Sequence, residues 1–142
     1  MSITAGLCTS FKVELLAAIH DFTNSTGDVF KMALFTDAAT LDSSTTVYSP
    51  ANEASGTGYT AGGDTLTNVT PAADGTTAIA SFGDASWPNS TITARGALIY
   101  NSSKSNKAVA VISFDQNYSS SSSTFVVTMP AVAAATAIIR IN

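Results

Sequence analysis

From Ile92 to Phe114 the chain reads I-T-A-R-G-A-L-I-Y, N-S-S-K-S-N, K-A-V-A-V-I-S-F, two β-prone runs around a short polar stretch. That pattern predicts a hairpin with a loop of a few turn-forming residues. Period-two alternation puts Ile92, Ala94, Gly96, Leu98 and Tyr100 on one face and Thr93, Arg95, Ala97 and Ile99 on the other. The second run sets Ala108, Ala110, Ile112 and Phe114 against Val109 and Val111. Both faces are largely apolar, so the pair is expected at the centre of a sheet, covered on both sides by a second sheet, a helix or a neighbouring subunit. Val29 to Thr36 (V-F-K-M-A-L-F-T) alternates in the same way and is expected to pair near the centre.

The only stretch with helical spacing is Thr4 to Phe22. Leu7, Phe11, Leu15, Ile19 and Phe22 recur at intervals of four, four, four and three, with Ser2 or Thr4 as N-cap and a stop by Gly27. A lone helix of this length is marginal in water and must dock. His20 is expected on its solvent flank beside Asp21.

From Asp37 to Asp64 the apolar pattern dissolves into a long polar, glycine-rich loop in which only Thr45 to Tyr48 resembles a short edge strand. Loops of this length in a compact domain are commonly functional, and glycines allow close backbone approach. Gly56, Gly58, Tyr59, Gly62 and Gly63 are therefore the candidate contact surface with a partner. The segment S-G-T-G-Y-T-A-G-G lacks the following lysine and the strand-to-helix setting of a phosphate-binding loop.

Short strands are expected at Thr65 to Thr70, Thr76 to Phe82 and Ala85 to Pro88, punctuated by Pro71, Gly75, Gly83 and Pro88. Ser119 to Ser123 reads as a loop, Thr124 to Met129 as a strand, and Ala137 to Ile141 as a tied-down terminal strand. A helix followed by seven or eight strands over residues 1–142 predicts a single mainly-β domain. Its helix falls at about 4–22 and its antiparallel β-sandwich or jelly roll at about 28–142.

Charge changes this picture. Only 11% of residues are charged, where a globular domain averages about 25%. A surface built instead of Ser, Thr, Asn, Gly and Ala points to packing in an assembly, with self-association expected. The net charge of −4 and the scatter of Lys12, Lys31, Arg95, Lys104, Lys107 and Arg140 give no basic stripe for nucleic acid. No apolar run approaches the roughly 20 residues that span a bilayer, and the N-terminal stretch, broken by Lys12 and Glu14, does not resemble a signal peptide. The N-x-S/T triplets at Asn24, Asn68, Asn89, Asn101 and Asn117 are expected by-products of the composition.

Chemistry is sparse. Cys8 and His20 are the only residues of their kinds, which rules out a zinc site built from them. On one helix they would sit about 18 Å apart, too far for a nucleophile and base. Cys8 reads as a small buried residue. Asp37, Asp42, Glu53 and Asp64 share the long loop without the spacing of a calcium loop. No catalytic residue, cofactor or metal ligand is expected. Trp87 with Tyr48, Tyr59, Tyr100 and Tyr118 raises a carbohydrate-binding sandwich as an alternative, against a packing role for Trp87. Arg95, in an uncharged strand, needs a partner such as Asp84 or Asp115.

Four segments, S-G-T-G-Y-T-A-G-G (55–63), L-T-N-V (66–69), S-W-P (86–88) and A-R-G-A-L-I-Y-N (94–101), resemble small virion structural proteins of tailed bacteriophages, and the similarity runs nearly end to end. The resemblance implies a many-copy particle component made in the bacterial cytoplasm and resident on the capsid or tail exterior. Its partners would be the major capsid protein or other virion proteins. A capsid decoration (cement) protein is the favoured expectation, and a neck, tail or fibre component the other.

Overall fold

A computed structural model describes residues 2–142. It is a mainly-β, sandwich-like fold of ten strands and one short helix. Strands β7 (Thr93–Asn101) and β8 (Lys107–Ser119) form the expected hairpin. With β1 (Gly6–Leu7), β2 (Phe30–Phe35) and β3 (Asp64–Thr65) they make a five-stranded antiparallel sheet in the order β1-β8-β7-β2-β3. A three-stranded sheet, β10-β5-β4, combines β4 (Asn68–Asp74), β5 (Thr77–Phe82) and β10 (Ile139–Ile141). Strands β6 (Ala85–Ser90) and β9 (Ser123–Val127) pair alone.

The central strand is buried from Gly96 to Asn101, as its two apolar faces require. In the β2–β7 register Phe30 faces Asn101 and Lys31 faces Tyr100, which defines the two faces. On one, Phe30 stacks on Phe22 (4.5 Å, 9°) and tilts against Phe82 of β5, joining the two sheets. On the other, Tyr48 stacks on Tyr100 (4.6 Å, 13°), so the long loop is the second cover. Each face is therefore covered from within the chain.

The helix departs from expectation. It spans only Thr9–Leu16 (α1), because residues before it are drawn into pairing: Ile3 bridges Leu41, and Gly6 and Leu7 pair with Val111 and Ala110. Its N-cap is Cys8, without a side-chain cap. At the other end Ala18 adopts φ +59°, its N–H donating to the Leu15 carbonyl while the Ile19 N–H donates to Glu14. That is a Schellman turn with alanine in the left-handed position usually held by glycine. The expected five-residue stripe is thus split among a strand (Leu7), the helix (Phe11, Leu15) and the returning chain (Ile19, Phe22), and it still converges, since Phe11 and Phe22 pack edge to face at 5.9 Å. The expected strand at Thr45 to Tyr48 is a single bridge, Val47 to Lys107.

Candidate interaction surface

Where the chain turns back, His20 is carried inward, contrary to a solvent-facing position. Its side chain is wholly buried, with Nε2 3.0 Å from Glu14 Oε1 and Nδ1 2.9 Å from Asn101 Nδ2. The amide of Asn101 is oriented by its other contacts: Nδ2 donates to Asp28 Oδ2 and Oδ1 accepts the Ser103 N–H. Nδ2 therefore donates to Nδ1 of His20 as well, leaving Nε2–H to donate to Glu14. Both ring nitrogens are occupied and walled by Phe11 and Phe30. The Glu14–His20 pair ties the returning chain to α1. Asp28 is the anion beneath it. Burial pushes its carboxyl upward, but hydrogen bonds from Asn101, the Asp21 N–H and Lys104, with the Lys104 charge, leave it net below the usual range.

Cys8 is fully buried. Burial, with the charges of Asp42 and Glu14, pushes its thiol up to about 11, so it stays protonated near neutrality.

The glycine-rich loop is hung on one of the four loop acids. Glu53 accepts from the Tyr48 hydroxyl (2.7 Å), the Tyr59 hydroxyl (2.6 Å) and the Gly62 N–H (2.7 Å). Tyr100 donates to the Gly62 carbonyl at 2.6 Å, and the Leu34 N–H donates to the Tyr59 hydroxyl. Burial, reinforced by Glu53, raises the phenols of Tyr48, Tyr59 and Tyr100. The remaining edge of β2 is sealed by the same loop, where the Ala54 N–H donates to Leu34 and the Thr36 N–H to Asn52.

The five candidate contact residues therefore divide. Gly62 is buried, and Gly63 (φ +79°) lies so close to β2 that a Cβ would collide with the Met32 carbonyl. Tyr59 is half-buried and tilts against Trp87. Gly56 and Gly58 stay exposed, although a Cβ on either would meet the backbone at Asn89 to Thr91. The close approaches that glycine permits are made to the chain's own strands, and only the Gly56–Gly58 tip is presented outward.

Trp87 is 4% exposed, enclosed by Tyr59 and Phe125, and presents no open face to a sugar ring. Arg95 reaches Ser113, which in turn bonds Asp115, while Asp84 caps the Met129 N–H. Asp37 accepts from Asn117 and Asp42 from Ser44. Among the described residues no three His, Cys, Asp or Glu side chains are grouped so that they could hold a metal ion. No helix among them is long and apolar enough to cross a membrane.

Sequence reading missed the opposite end of the large sheet. Between β1 and β10 runs a groove of two hollows, of about 360 and 400 Å³, that share Leu7 and Arg140. One is walled by Ala110 to Ile112 of β8, the other by Phe11, Leu15 and Leu16 of α1 and by Ile139 and Ile141. Leu16 is 91% exposed and Ile141 53%; Val13, one turn from Leu16, is 64%. Exposed aliphatic residues at i and i+3 of a helix were the available signal, hidden because a longer helix would have placed Val13 and Leu16 on its solvent side.

No protein-family model, curated protein or solved structure matches this chain.

Proposed function

We propose that this chain is a non-enzymatic structural subunit of a virion, and specifically a decoration protein seated on the outside of a tailed-phage head, tying neighbouring coat subunits together. The observation that carries this reading is the aliphatic surface of Val13, Leu16 and Ile141 beside two sheet edges, in a chain with 11% charged residues. Exposed apolar groups gathered beside unpaired backbone mark a surface meant to be covered. A coat lattice supplies that cover many times by symmetry, so a modest area per copy suffices. The likeness of four sequence segments to phage virion proteins supports the same reading, and the major capsid protein is the partner it names.

The test is to add purified protein to undecorated coat shells and to measure uptake per coat subunit and the resistance of the shells to heat or denaturant. Saturable uptake in fixed ratio, with tougher shells, is expected. Shells that neither take up the protein nor become more robust overturn the decoration role, and density at the neck or tail instead of the head moves the station.

A further inference from the structure

Resting on the reading of this chain as an assembly subunit, we infer that the groove between β1 and β10 receives an extended segment of another protein, one that alternates apolar residues with carboxylates and pairs with the open strand edges. Strands β1 and β10 are end members of their sheets, so each has one row of backbone N–H and C=O groups without a strand neighbour. Residues of both strands line one groove, where an added strand would gain main-chain hydrogen bonds. Two other strands at sheet ends are blunted: β4 carries Pro71 and a register shift between Val69 and Ala72, and β6 carries Pro88 and a shift between Trp87 and Ser90. Neither β1 nor β10 has a proline or an irregularity.

The side chains state what the segment looks like. The walls are aliphatic, supplied by Leu7, Leu15, Leu16, Ile139 and Ile141, and call for apolar side chains at alternate positions. Among the described residues the only charged side chains lining the groove are Lys12 and Arg140. Elsewhere Lys104 is paired with Asp28 and Lys107 with Glu14, while Lys31 and Arg95, also without an ion pair among the described residues, do not line the groove. Lys12 and Arg140 have no carboxylate within ion-pair distance among the described residues, and Arg140 bonds only the Ala135 carbonyl. In a chain of net charge −4, two free cations at one apolar groove favour an acidic partner segment and disfavour a second copy brought in by its own groove.

The test uses the full chain, coat shells and, as an independent probe, an end-blocked nonapeptide of alternating valine and glutamate. Hydrogen exchange at Gly6–Leu7 and Ile139–Ile141 reads edge pairing. The double variant Lys12→Glu/Arg140→Glu reads charge, with Lys12→Glu alone as the variant that leaves the Arg140 contact intact. Slowed exchange at both strands on shells, and affinity weakened about tenfold or more by the double variant, is the expected result. Shell binding with those amides still fast, or indifferent to charge reversal, overturns the groove while leaving the decoration role standing. Peptide protection of both strands without any shell binding supports the groove and removes the decoration role. No shell binding and no protection by the peptide overturns both. A concentration-dependent dimer that protects the same amides also overturns it, because the occupant is then a second copy.

Discussion

The two ends of the five-stranded sheet have opposite finishes. At the β3 end the edge of β2 continues under a loop whose backbone and tyrosines take up its hydrogen bonds, and Glu53 gathers three donors to hold that loop in place. At the β1 end a two-residue strand leaves off where the sheet is still running, beside a helix with an almost fully exposed leucine. The first end is closed by polar satisfaction and tight approach, and the second is left unfinished. A sheet sealed by its own loop at one end and without a strand neighbour at the other shows an asymmetry on which the proposed interface rests.

If the closed end depends on tight approach, its most sensitive point is Gly63. Gly63→Ala puts a Cβ into the Met32 carbonyl at a φ of +79°. We expect a loss of about 3 kcal/mol or more, or failure to fold, measured by denaturant unfolding. Glu53→Ala is the next step down. It strands two phenolic hydroxyls and an amide that now share one carboxylate, and a loss of about 2–4 kcal/mol is expected, with faster exchange at Gly62. Glu53→Gln keeps an acceptor and should recover part of that loss. If Glu53→Ala were neutral, the loop would not be held as described and the contrast between the two ends would collapse.

How much of this was legible in the sequence differs at the two ends for physical reasons. The central hairpin, Val29 to Thr36 and the sandwich class followed from period-two alternation, which records burial directly. The glycines of the long loop signalled close approach, but nothing in S-G-T-G-Y-T-A-G-G says whether the backbone approached is its own or a partner's. The role of Glu53 depends on Tyr48, Tyr59 and Gly62 meeting in space and leaves no periodic trace. At the other end, Ala17 and Ala18 are good helix formers and gave no stop signal, so the Schellman turn at Ala18 was invisible. Its consequence was the misplacement of His20, since a histidine four residues after Leu16 is on a helix flank or in the core depending on that one left-handed residue.

The open end has a titration of its own. Cys8, where β1 runs into α1, has its thiol raised from 9.0 to about 11. A group with a raised folded-state pKa contributes its full stability below the unfolded value and loses it as pH climbs toward the folded one. Stability should therefore fall from pH 9 upward, by at most about 1.4 kcal/mol per pH unit. Tyr48, Tyr59 and Tyr100, with an ordinary value of 10.0 raised in the fold, add their loss above that value, at the closed end. Comparing the slope of stability against pH for wild type and Cys8→Ala below pH 10 isolates the thiol. The slope should flatten in the variant, and an unchanged slope would mean that the thiol does not govern this window.

The smallest expected effect sharpens the contrast most. Leu16 is 91% exposed, so Leu16→Ser removes almost no buried area and touches no hydrogen bond of the fold. Unfolding free energy should change by no more than about 0.5 kcal/mol, the ordinary range for surface substitutions. If Leu16 belongs to the proposed contact surface, the same change should weaken uptake by coat shells. The informative quantity is the pair of measurements together. Stability unchanged with binding reduced separates the open end from the closed one, where Gly63→Ala must damage folding before binding can be asked about. A large stability loss from Leu16→Ser would instead place that side chain in the fold's own core and erase the distinction between the two sheet ends.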